Sequence, residues 1–277
     1  MDQGPIAGGG LNDHRKNEGS EMQLTTSSEI LQNLGSPPFL IACLAAMCVG
    51  MAKGGVPTIG MLAVPVISLA VSPIKGAAIL LPIFILTDMV SVWLYRRSFS
   101  KPNLKILIPA GLMGVAVGWA TASVISDKVV SILIGVLGIA FCCHTWFGKV
   151  YLTRPKQPTL GRGMLWGSLA GFTSFISHAG SPPYQIYVIP QRLEKLTFVG
   201  TTAVVFAAIN LAKVIPYANL RPYSAEDLTL ALWLIPTALA GTFFGAFLIR
   251  RLADVWFSRL IQAGLLLVSI KLLVQAV

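Results

Sequence analysis

Charge is what this chain has least of. Charged residues make up 12% of its 277 positions, about half the ~25% usual in soluble domains. Acids are scarcest, eleven against twenty-one Lys and Arg. So little charge cannot coat a water-facing surface, which excludes an ordinary soluble enzyme or binding module. Histidine and cysteine are few as well, three and four. Cys43, Cys48, Cys142 and Cys143 lie in apolar sequence without zinc-like or secreted-scaffold spacing, so they read as small packing residues. There is no His-Glu-x-x-His, no Gly-x-Ser-x-Gly and no phosphate-cradling Walker loop. The common hydrolase and ATPase signatures are therefore absent, and the chain reads as a non-enzyme without cofactor or metal.

Apolar sequence is abundant instead, with 55% hydrophobic residues and a mean hydropathy of +0.73. Runs over 74–95, 104–125 and 228–249 reach the roughly 20 residues of a spanning helix, a length that excludes a β-barrel. The expected fold is an all-α polytopic membrane protein. A net charge of +10 would suit nucleic acid, yet thirteen of the basic residues cluster in four loops that flank apolar segments. The positive-inside rule accounts for them, and no nucleic-acid partner is expected. Residues 1–36 are polar, rich in Gly, Ser and Asn, and carry five acids against two bases; they read as a flexible outer tail.

Five apolar segments can be drawn in each half, roughly 38–52, 56–71, 75–95, 104–125 and 129–148, then 163–177, 182–191, 196–217, 228–250 and 256–276. The division expected is a first membrane repeat over 37–148, a basic linker over 149–162 and a second repeat over 163–277. Ile108-Pro109 pairs with Ile235-Pro236, Gly114 and Gly118 with Gly241 and Gly245, Asp127 with Asp254, and Ser131 with Ser258, all 127 apart. The Arg96, Arg97, Lys101, Lys105 cluster and the Lys149, Arg154, Lys156, Arg162 cluster lie two crossings apart and read as cytoplasmic. In the second half the bias moves to Arg192 with Lys195 and to Arg250, Arg251 and Arg259, whereas Arg221 stands beside Glu226 and Asp227. Such a flip predicts two inverted repeats, each a short-helix hairpin plus three transmembrane helices, with both termini outside. The hairpins would either dip into the bilayer and return or form short tilted spans.

Both halves carry a Gly/Pro break in apolar sequence, Lys53-Gly54-Gly55-Val56-Pro57 and His178-Ala179-Gly180-Ser181-Pro182. Paired interruptions of this kind point to transporter binding sites. An intramembrane cation such as Lys53 costs about 2.5 to 3.5 kcal/mol and persists where it has a partner or a task. Beside it, backbone N–H groups of Gly54 and Gly55 and the hydroxyl of Thr58 are donors suited to an anion. His178, Gly180 and Ser181 occupy the matching place, with His178 able to bind an anion when protonated or to relay a proton. Thr173, Ser174 and Ser177 add hydroxyls nearby. Asp88 is the carboxylate well inside a span, a candidate proton carrier or Lys53 partner. Asn210 is a candidate contact at similar depth, and Lys213 reads as a side chain that snorkels. The Gly-x-x-x-Gly pairs read as helix-packing devices.

These residues resemble the TauE/SafE sulfite-exporter family, also called toluene-sulfonate uptake permeases. The resemblance is carried by AKGGV at 52–56 leading to LAVP at 62–65, AAILLP at 77–82 with Asp88 and YRR at 95–97, and GFTSFISHAGSPP at 171–183. It implies a secondary carrier of small sulfur-containing anions such as sulfite, sulfoacetate or related sulfonates in a bacterial inner membrane. The expected mechanism is proton-coupled alternating access. The anion would sit between the hairpins on Lys53, His178 and the Gly54, Gly55 and Gly180 backbone, and Asp88 or His178 would carry the proton. The partners expected are that anion, protons and lipid, with a homodimer compatible. An anion channel on the same scaffold and an intramembrane enzyme using His178 and Asp88 are the alternative readings.

Overall fold

A computed structural model describes residues 35–124, 126–147, 155–220, 224–251 and scattered helical positions between 263 and 274. The expected tail, except its last two residues, the linker residues Lys149 and Arg154, and Arg221, Asp254, Ser258 and Arg259 lie outside the described residues, as does most of the 256–276 segment. Among the described residues the fold is helical without strands. Its α-helices are α1 (Pro37–Gly54), α2 (Ala63–Ile67), α3 (Pro73–Leu94), α4 (Lys101–Thr121), α5 (Asp127–Phe147), α6 (Leu160–Ser177), α7 (Ser181–Val188), α8 (Lys195–Leu220) and α9 (Ala225–Arg251). Five helices are long and apolar enough to cross a bilayer: α1, most of α3, α4, α8 and most of α9. The protein is multi-pass.

Local chemistry sets the helix ends. Ser36 Oγ accepts from the Phe39 amide at 3.4 Å and Pro37 and Pro38 open α1, an N-cap with proline where no amide partner is needed. Ser72 and Pro73 start α3 in the same way. At the far end of α1, Gly55 takes φ +136°, its amide donates to the Ala52 carbonyl, and the Val56 amide donates to that of Met51. That is the closing pattern a C-terminal glycine permits. A 3-10 turn (Pro57–Leu62) and the five-residue α2 follow, whereas α6 is followed by α7 and a 3-10 turn (Ile189–Gln191).

The first arm of each hairpin is longer than its sequence suggests. Both α1 and α6 run 18 residues, about 27 Å at 1.5 Å per residue, because Lys53-Gly54 and Leu160-Gly161-Arg162 are helical despite their composition. The second arms are too short to span.

The halves interlock. Helix α1 packs on α9 and α4 on α6, while α3 lies against α8 and α9, and α4 also against α8. Glycine makes the first two contacts close. A Cβ on Gly54 would run into the Thr242 carbonyl oxygen, and one on Gly114 into that of Ser168. These small-residue seams are what membrane helices use when no hydrophobic force separates them from lipid.

Polarity is arranged inside out. Asp88, Asn103, Thr201, Asn210, Lys213 and Thr242 are buried, whereas Met89, Trp93, Met113, Leu211, Ile215, Leu232 and Phe247 are exposed. An apolar exterior around polar contacts suits lipid, where buried polar groups must find protein partners.

Candidate functional site

The break at the end of α1 lies against the middle of α3 and α8. Lys53, in the last turn of α1, places Nζ 2.5 Å from Asp88 Oδ1 on α3. The other carboxylate oxygen of Asp88 accepts from Asn210 Nδ2 of α8 at 2.6 Å. A carboxylate at bilayer depth is thus matched by a cation on one side and a neutral donor on the other. The Lys53 ammonium also lies 5.1 Å from the Phe84 ring centre and 5.5 Å from that of Phe206. Both rings offer it their π-electron density in place of water.

The second break ends α6 at His178, which takes the left-handed conformation with φ +53°. Histidine is among the side chains that enter this region more readily than most. Its Nε2 lies 2.9 Å from the Ala77 carbonyl oxygen, its Nδ1 lies 2.9 Å from Lys213 Nζ, and its ring stacks on Phe84 with centres 4.6 Å apart. Lys213 Nζ also donates to the Ser174 carbonyl at 2.7 Å. Lys213 is fully buried, so it does not snorkel to an interface as its sequence suggests. It turns inward because the end of α6 offers two acceptors there.

The remaining predicted residues divide clearly. Gly54 is helical and its carbonyl accepts from the Tyr95 hydroxyl, and the Gly55 amide closes α1. These glycines therefore shape the break and its approach to α9, and the Gly55 amide expected to face an anion is already engaged. Gly180 is buried at the start of α7, where a Cβ would meet the Ala170 oxygen at 2.6 Å and Phe206 at 2.7 Å. Ser181 Oγ accepts from Gln185 Nε2 at 2.7 Å. Thr173 and Ser177 donate to carbonyls of their own helix. Thr58 stands in the 3-10 turn, and its hydroxyl lies outside the described side chains. The structure thus brings Lys53, Asp88, Asn210 and His178 together, and it adds Lys213, Phe84 and Phe206.

The two breaks are held by corresponding contacts. Ser91 Oγ donates to the Lys53 carbonyl at 2.7 Å, and Lys213 Nζ to that of Ser174 at 2.7 Å. The Tyr95 hydroxyl donates to the Gly54 carbonyl and the Tyr217 hydroxyl to that of Phe175. Helix-end carbonyls without intrahelical partners need such donors. By these contacts Ser174, not His178, stands where Lys53 stands. Helix α6 runs two residues further before it breaks, and His178 lies four residues past Ser174, beyond the place its sequence match suggests. Phe84 with Phe206, Asp88 with Asn210, Ser91 with Lys213 and Tyr95 with Tyr217 are all 122 apart. That spacing was a signal in the sequence for Lys213.

Beside Lys53 lies a cavity of about 10 Å³ lined by Ala52, Lys53, Ser91, Val199, Thr202 and Ala203, about one water's worth of space. Among the described residues no group of three or more His, Cys, Asp or Glu side chains could hold a metal; His144, beside Cys142 and Cys143, lies outside the described side chains.

The sequence matches the family model described as Sulfite exporter TauE/SafE over residues 40–272. Searches of curated proteins and of solved structures return no match. The family match covers both breaks, four of the five long apolar helices and all of α1 but its first three residues, and every residue of the buried charged cluster, so the chain belongs to the TauE/SafE sulfite exporter family of membrane transporters.

Proposed function

We propose that this protein is a secondary carrier of small sulfur-containing oxyanions, working by proton-coupled alternating access in a bacterial inner membrane. The observation that carries the reading is the gathering of the Lys53–Asp88 ion pair and the fully buried Lys213 beside the ends of α1 and α6, one helix from each half. Charge at that depth is costly and marks substrate or ion pathways. A sulfite or sulfonate presents three oxygens to such cations, and Lys53, Asn210 and the His178–Lys213 pair surround the place where they would sit. Asp88 is the group proposed to exchange a proton, because releasing it from Lys53 frees that cation for the substrate.

Alternating access is supported by the pairing of the halves. Helix α1 with α9 corresponds to α6 with α4, and the break contacts correspond as well. Such an exchange is what an inverted duplication produces, with binding at the repeat interface. The cavity described beside Lys53 has room for about one water, so an anion enters that space only if the helices around it part. That need for movement favours a carrier over a channel.

Uptake by purified protein in liposomes tests the reading. Saturable sulfite or sulfonate flux that a pH gradient drives uphill is the expected result. Flux that follows only its own gradient would replace the carrier with a channel, and Lys53→Ala protein that binds and moves the anion like wild type would remove this site.

A further inference from the structure

Resting on that reading, we propose that Phe84 sets how large an anion the site takes, because its ring fills space between the two helix breaks. The ring touches the predicted anion-binding side chain of each break. It lies 5.1 Å from Lys53 Nζ at the end of α1 and stacks on the His178 imidazole at the end of α6, with centres 4.6 Å apart. Among the described aromatic contacts no other ring is shared by those two side chains, since Phe206 meets Lys53 alone and Tyr217 meets His178 alone.

An anion held by Lys53 on one side and His178 on the other has to share that space with the ring. Phe84 is buried, and protein interiors are packed too densely for a phenyl ring and a bulky anion to occupy one place. The water-sized cavity beside Lys53 is lined by Ala52, Ser91, Val199, Thr202 and Ala203 and by neither Phe84 nor His178, so it adds no room between the breaks.

Phe206, the counterpart of Phe84, also faces Lys53, at 5.5 Å. Its other neighbours differ. Its ring packs on that of Tyr184, with centres 5.5 Å apart, and closes on Gly180, so it is fixed against the start of α7. Phe84 stands instead on a segment of α3 that Pro82 loosens, because a proline inside a helix removes one of its hydrogen bonds. The corresponding position of α8 holds Val204. When the helices part, the room beside Lys53 and His178 is therefore what Phe84 leaves free. This control is one of volume and applies to anions of one charge or two.

Methanesulfonate and cyclohexanesulfonate test the assignment, because they share a sulfonate head and differ in bulk, the larger by a ring of about the size that Phe84→Ala removes. Calorimetry on the purified full-length protein gives the ratio of their affinities. Wild type is expected to favour methanesulfonate. Phe84→Ala should move the ratio about tenfold or more towards cyclohexanesulfonate. Phe84→Leu should move it part of the way, and Phe84→Trp in the opposite direction. Phe206→Ala and Phe175→Ala remove other buried rings, and should leave the ratio within about threefold of wild type, since a general loosening weakens both anions alike.

Wild type that binds cyclohexanesulfonate as tightly as methanesulfonate overturns the proposal, and this arm needs no variant to fold. An unchanged ratio in the Phe84 variants that fold also overturns it, as does an equal shift in Phe206→Ala or Phe175→Ala. If wild type binds neither sulfonate, the sulfur reading fails, and acetate against cyclohexanecarboxylate then decides the size rule on the same variants. An unchanged ratio there, or no binding of either acid, overturns that rule too.

Discussion

The two halves of the molecule hold their breaks with equivalent contacts but different charges. In the first, Lys53 is neutralised by Asp88. In the second, Lys213 meets only a carbonyl and an imidazole nitrogen. Shared geometry and unshared charge have different physical origins. Uncapped carbonyls at a helix break need donors wherever a break occurs, so both halves supply one from the neighbouring long helix. The charge that follows each donor is not set by that need, so the donor is a serine hydroxyl in one half and a lysine in the other. The contrast with Asn103 and Gln191 is instructive. Those side chains exchange two hydrogen bonds, at 2.8 and 3.2 Å, and complete a neutral contact that asks for no ligand.

The strongest way to break the comparison is to unbalance the first half. Lys53→Ala leaves Asp88 buried without its cation, and losing one partner of a buried pair costs about 3 to 5 kcal/mol. A large fall in melting temperature in detergent and loss of anion uptake are expected. Adding Asp88→Leu to Lys53→Met should restore most of the stability without restoring uptake, which separates the structural from the functional role of the pair. Asp88→Asn alone should abolish the dependence of uptake on a pH gradient. Unchanged dependence would move proton coupling away from the first half.

The packing seams sharpen the equivalence of the halves. Gly50→Leu and Gly171→Leu each push a side chain into a facing carbonyl at equivalent places of the two seams, an overpacking that costs about 1 to 3 kcal/mol. Similar losses in thermal stability are expected for the two. A large difference would mean that the α1–α9 and α4–α6 contacts are not counterparts. The smallest effects belong to the tyrosine caps. Tyr95→Phe and Tyr217→Phe each remove one interhelical hydrogen bond, about 0.6 kcal/mol in membranes, so each should lower the melting temperature only slightly, and by similar amounts.

Much of this was legible in the sequence. Apolar runs, the paired Gly/Pro breaks and the isolation of Asp88 and Lys53 in apolar surroundings identified a helical membrane protein and most of its charged cluster. The resemblance rested on the same stretches. Lys213 was missed because a lysine stem that snorkels and one that turns inward look alike in one dimension. The role of Gly55 was misjudged because an amide beside a glycine is equally suited to a ligand and to closing its own helix. His178 was aligned with Lys53, since the breaks are what catch the eye, yet α6 extends one turn past the contact that corresponds to Lys53.

Composition and the length of apolar runs are properties of the chain itself, and the bilayer imposes a fixed thickness on them. The sequence alone therefore determined the membrane class, the helical architecture and where helices break. Which polar groups meet was decided by tertiary structure. Asp88 and Asn210 lie 122 residues apart, and Ser174 with Lys213 lie 39 apart, so their contacts depend on how α3, α6 and α8 pack. No local pattern encodes that packing, and the balance of charge at the site follows from it.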